Sequence, residues 1–146
     1  QAADVLEILT DPARCQVVLV TLPEETPVNE LVETAFSLED EVGICLGPVV
    51  VNGLYPDLPG LDTDPVEAAE RAGAFLHPGE ADALREAAAF RRHRMGLQAE
   101  QVGRLAERLP LPQVRLPFLF TADLGPAEVD ELAAAFTSGV EDLVAL

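Results

Sequence analysis

Residues 45–56 read CLGPVVVNGLYP, a short β-branched apolar run that stops at Asn52-Gly53. Apolar runs of this length without polar alternation form strands covered on both faces, as in parallel sheets flanked by helices. Residues 16–22 and 114–120 share this make-up, and each of the three ends in a turn followed by a helix start. Strand, helix, strand in that order implies parallel pairs joined by right-handed crossovers. The expected fold class is therefore α/β: an open, mostly parallel sheet flanked by helices. A length of 146 residues fits one domain, residues 1–146, with a real core. Such sheets bind ligands at the carboxyl ends of their strands. Asn52 stands there, with an amide that both donates and accepts.

The helices follow from spacing and punctuation. Residues 2–9 carry Val5, Leu6, Ile8 and Leu9, and Asp11-Pro12 closes that segment. Thr26 reads as an N-cap with Pro27 at the first helical position. Val28, Leu31, Val32, Ala35 and Phe36 then form a stripe suited to lie on a sheet, ending near Glu41 and Gly43. Residues 53–65 are rich in Pro and Gly and read as a loop. Asp64-Pro65 starts the next helix, with Val66, Ala69 and Leu76 inward, and His77-Pro78-Gly79 breaks it. A long helix is expected over 80–109, kinked at Gly96 and stopped by Pro110 and Pro112. Pro117 suits a strand end or edge, where a donor can be spared. A last helix opens at Gly125-Pro126 with Val129, Leu132, Ala133 and Phe136 on one face. Ser138-Gly139 ends it, leaving an apolar tail over 140–146.

A net charge of −17 argues against nucleic acid and anionic membrane surfaces, both of which favour basic proteins. With no Trp and few aromatics, Leu, Val and Ala must fill the core. All nine positive residues are Arg, so neither a phosphate-loop lysine nor a Schiff-base lysine can come from this chain. Cys15 and Cys45 read as small buried hydrophobes rather than a disulfide framework, which points to a reducing, cytoplasmic setting. Neither a signal peptide nor a run long enough to cross a bilayer is visible, so direct membrane insertion is not expected. The opening Gln suggests a piece of something longer.

Few residues offer chemistry. Glu24 and Glu25 lie at a strand's carboxyl end, yet also before a helix N-terminus, where negative charge is stabilised by about 0.3–1 kcal/mol; the second role is favoured. His77 and His93 lack partners at metal spacing, and no CxxC pair exists, so no metal site is expected. Arg91, Arg92, His93 and Arg94 form the one basic cluster. An ion-paired helix face explains it better than an anion site. With no GxSxG, GxGxxG or Gly-rich phosphate loop, the chain is poorly equipped as a stand-alone enzyme, and no catalytic residue is assigned.

Four pieces in order carry a family resemblance. Asp11-Pro12 followed by VVLVTLPEE looks like a strand ending in Thr-x-Pro-Glu. Val28-Asn29-Glu30-Leu31 is similar to a helix opening with Tyr-Glu-Thr. VVVNGLYP looks like a Val-Val-Asn-x-x-x-Pro strand end, and VRLPFLFTADLG like a late strand and its loop. Together they resemble the carboxyl-terminal portion of the ArsA-like ATPases, the arsenical-pump and tail-anchored-protein targeting family. The resemblance implies a partial P-loop NTPase fold and ATP as ligand, with Mg2+ in the complete protein. It implies that Asn52 reads the adenine edge while Pro117, Phe118 and Leu119 pack against or near the ring.

The departures limit what is implied. The family's phosphate loop, its lysine and its switch acids lie in the amino-terminal half and have no counterpart here. Glu33 stands where relatives often carry Arg. The zinc-bridging CxxC is absent, and a single Met leaves no Met-rich groove. The leading expectation is the adenine-side portion of an ATP-binding ATPase, inactive alone. A second is a non-catalytic α/β interaction or regulatory module that pairs with an ATPase partner. A third is a plain flavodoxin-like domain with no adenine preference. Unpaired edges of a parallel sheet expose ladder groups, so self-association or a partner is expected.

Overall fold

The computed structural model describes residues 2–144. Three parallel strands, β1 (Val20–Thr21), β2 (Val49–Leu54) and β3 (Gln113–Pro117), form an open sheet in the order β1-β2-β3. Among the described residues five α-helices accompany them: α1 (Ala2–Leu9), α2 (Glu25–Ser37), α3 (Pro65–Ala72), α4 (Glu80–Arg108) and α5 (Pro126–Val144). The fold is the expected α/β sheet flanked by helices, consistent with part of a P-loop NTPase-like architecture.

The apolar core lies between the sheet and the pair α2 and α4. Val28, Leu31, Val32 and Ala35 of α2 meet Val49 and Val51 of β2 and Val102 and Leu105 of α4. Burial of each such Val or Leu side chain stabilises the fold by about 1.5–3 kcal/mol. Alternation along a strand sends Val50 and its register partner Val114 to the other face. There α5 packs on β3, with Gly139 against Val114. That face is covered only in part: Val18 and Val20 of the first strand segment are exposed, Val20 by 62%.

The first strand is shorter than residues 16–22. Val17 still bridges Leu46, and Val17 N–H donates to Cys45 O at 3.0 Å. From Val17↔Leu46 to Val20↔Val50 three steps on the first segment oppose four around Gly47-Pro48, so the ladder is interrupted there and resumes where Val50 N–H meets Leu19 O at 2.8 Å. The third strand ends at Pro117 rather than 120, which places the proline at a strand end as anticipated.

Helix boundaries depart from the sequence expectations in three places. The α2 N-cap is Glu24, not Thr26, and Val28 N–H closes the first turn on Glu24 O at 3.0 Å. Pro27 is tolerated because first-turn N–H groups have no partner within the helix. Downstream, α2 runs into a single π-helical turn, Leu38–Val42, capped by Gly43 at φ 74°. Asp64-Pro65 does start α3, but Gly73, at φ 66°, ends it before Leu76 and His77. Finally, α5 continues through Ser138-Gly139 to Val144. The tail expected over 140–146 is therefore helical as far as it is described, and its last two residues lie outside the described part.

Candidate functional site at the strand ends

Asn52 does not end its strand. The register pairs Val51 with Arg115 and Leu54 with Pro117, so three steps on β2 oppose two on β3. Asn52 and Gly53 thus form a bulge, and Gly53 takes the left-handed conformation, φ 81°, that a bulge residue needs. Asn-Gly is also a turn signal, which is why the sequence reads as a strand end here. In the fold it is an irregularity inside the ladder.

The half-buried Asn52 lines a cavity of about 510 Å³ beside the unpaired edge of β1, together with Thr21, Leu22, Pro27, Leu31 and Thr34. That volume lies within the roughly 300–1,000 Å³ range of small-molecule sites. The Asn52 carboxamide makes no hydrogen bond among the described residues and is not buried without a partner. Its donor and acceptor are therefore open to a ligand.

Beyond the bulge stands an aromatic group. Tyr55, Phe118 and Phe120 have ring centroids 4.8–5.2 Å apart, in tilted and edge-to-face pairs. Phe118 is 42% exposed and is held by its N–H donating to Leu54 O at 2.7 Å. A β-carbon on Gly53 would lie 3.6 Å from Leu22 Cδ2 and 3.9 Å from Phe118 Cδ2. Gly53 therefore lies between Leu22 of the cavity wall and Phe118 of the aromatic group, and Pro117, Phe118 and Leu119 do not line the cavity that Asn52 lines. Pro117 pairs with Leu54 in the ladder, and both Pro117 and Leu119 are half-buried. All four residues singled out from the sequence lie in the segments at the carboxyl ends of β2 and β3.

One face of α4 fastens all three strand ends, which sequence reasoning missed. Arg94 pairs with Glu24, after β1, at 3.2 Å. Gln98 donates from Nε2 to Gly53 O at 3.0 Å and accepts Tyr55 N–H at Oε1 at 2.9 Å, within and after β2. The Arg91 guanidinium lies over Tyr55 and Phe120, 5.5 and 4.8 Å from their centroids, and donates to Pro56 O at 2.7 Å. The spacing 91, 94, 98 was the available signal, since residues three and four apart share a helix face.

The basic cluster is thereby accounted for. Arg92 reaches Leu61 O and Asp62, so three of its four members hold α4 to neighbouring loops rather than waiting for an anion. Glu24 has its carboxylate on Arg94 and its backbone at the α2 N-cap, in line with the structural role favoured for it. Cys15 and Cys45 are only partly buried, so they are not the core hydrophobes expected. Among the described residues no cluster of His, Cys, Asp or Glu could hold a metal ion, and no helix is long and apolar enough to cross a membrane.

No protein-family model matches the sequence. A curated protein of Halobacterium salinarum, provisionally named an arsenical pump-driving ATPase, is 28% identical over 134 residues. The match takes in 92% of this chain and 17% of that protein. The chain is thus similar, at a distance, to one stretch of an arsenical-pump-type ATPase several times its length.

Proposed function

We propose that this chain is the adenine-side portion of an ArsA-like, ATP-binding ATPase. The observation that carries the reading is the open Asn52 carboxamide, presented by a bulge in the central parallel strand, with the exposed ring of Phe118 across Gly53 from its cavity. A carboxamide can meet both the amino group and a ring nitrogen of adenine, and a ring face suits a flat base. In this reading Asn52 takes the base edge, while Pro117, Phe118 and Leu119 form the wall beside it.

The chain supplies no phosphate machinery. It has no lysine and no Gly-rich loop to cradle phosphates. Hydrolysis is therefore assigned to a phosphate-binding part outside these residues, and this portion alone turns over no ATP. A titration with ATP, read residue by residue and controlled with GTP, tests the assignment.

A second reading has its own support. Val18 and Val20 lie exposed beside the unpaired β1 edge, and Val129 and Phe136 of α5 are exposed as well. A non-catalytic α/β module that docks on an ATPase partner, or on a second copy of itself, would cover such surfaces. It predicts association without any adenine preference.

A further inference from the structure

A bulge removes ladder partners from the backbone around it. At Gly53 O and Tyr55 N–H those partners are restored by one side chain, Gln98, which comes from α4 and is 5% exposed. The carboxamide orientation is fixed by what it meets: only Nε2 can donate to a carbonyl, and only Oε1 can accept an N–H. Gln98 sits one turn before Val102 and two before Leu105, on the face of α4 that enters the core. It is therefore anchored by packing as well as by its two hydrogen bonds.

We propose that Gln98 is a positioning residue for the strand-end site: by stapling the bulge to α4 it sets the direction of the Asn52 side chain, and with it the preference for an adenine edge. The inference rests on the nucleotide reading for the ligand, but the staple itself can be measured without one. Gln98 touches no ligand in this account; it acts through Gly53 and Tyr55.

The test compares the chain with Gln98→Leu and Gln98→Glu by amide NMR and hydrogen exchange. Leucine removes both hydrogen bonds. The Tyr55 amide should then exchange at least roughly tenfold faster, in line with the loss of one or two net hydrogen bonds, while Val50 and Val51 stay protected. The Asn52 side-chain resonances should move, and the ratio of ATP to GTP affinity should fall toward one. Glutamate keeps the acceptor for Tyr55 but repels Gly53 O when ionised. Its protonated form donates again, so the wild-type Asn52 resonances should return as pH is lowered toward the acid's titration.

An unchanged Tyr55 exchange rate and unmoved Asn52 resonances in Gln98→Leu would overturn the proposal. If that variant does not fold, the glutamate series decides, and a pH-independent Asn52 signal overturns it. Absence of any nucleotide preference in the wild type would sink the adenine reading instead, leaving the exchange data to decide the staple.

Discussion

Gly139 of α5 lies so close to Val114 of β3 that a β-carbon on the glycine would fall 2.8 Å from the valine Cγ1. The helix can approach the sheet there only because the residue has no side chain. Replacing Gly139 by Ala gains helix propensity, worth roughly 1 kcal/mol, but forces a methyl into a β-branched neighbour that cannot swing away. Overpacking of this kind typically costs about 1–3 kcal/mol. The net expectation for Gly139→Ala is a lower melting temperature, measured by circular dichroism. Gly139→Ala with Val114→Ala should recover part of the helix-packing loss.

Gly53 is constrained by conformation rather than space. Its φ of 81° suits glycine, while the nearest atoms to an added β-carbon, 3.6 and 3.9 Å away, are at ordinary contact distance. Gly53→Ala should destabilise the chain by about 1–2 kcal/mol, the cost of a left-handed L-residue. Gly53→Asn, which tolerates that region better, should lose less. Denaturant melts of the two variants check the order.

Asp64 caps α3 and links it to α4. One carboxylate oxygen accepts Val66 N–H at 2.9 Å, and the other accepts from Arg85 at 2.9 and 3.1 Å. The Arg85 guanidinium, and after it the Val66 amide, hold the Asp64 carboxyl below its usual value. A depressed folded value means that the contribution is complete above the unfolded pKa of about 3.9 and is lost as pH falls through the lower folded one. Amides of α3 should therefore lose protection selectively in acid below about pH 4. Asp64→Asn keeps a capping oxygen but should abolish that acid step; hydrogen exchange as a function of pH reads both.

The sheet and its parallel sense were legible because β-branched runs such as VVV at 49–51 need cover on both faces. The Asp64-Pro65 start and the Gly43 stop were legible because they are local backbone chemistry. Gly139 was misread: mid-helix glycine and helix-ending glycine look alike until Val114 is placed against it. The bulge at Asn52-Gly53 was hidden because Asn-Gly is a turn signal, and only the partner strand's register distinguishes the two. Gln98 carries no signal of its own in the sequence, and Arg91 reads only as part of a basic cluster on an ion-paired helix face, since their partners lie more than thirty residues away. Phe36, expected on the buried stripe, is 49% exposed, because the stripe that enters the core stops at Ala35.

Arg91 shields the aromatic group from solvent. Arg91→Ala removes the cation from Tyr55 and Phe120, an interaction worth about 0.5–1 kcal/mol at an exposed site. Tyr55 is the single tyrosine of a chain without tryptophan, so its fluorescence reports this locus alone. Acrylamide quenching of Tyr55 should rise in Arg91→Ala, and unchanged quenching would show that the guanidinium does not cover the ring in solution.

The proposed adenine half-site lies at the strand ends. An amide NMR titration with ATP, with GTP as the control and Asn52→Ala as the variant, tests it most directly. Shifts should be confined to Asn52, Gly53 and the segment around Phe118, stronger with ATP than with GTP and largely lost in Asn52→Ala. No shifts, equal shifts with both nucleotides, or shifts gathered on Arg91, Arg92 and Arg94 instead would contradict it.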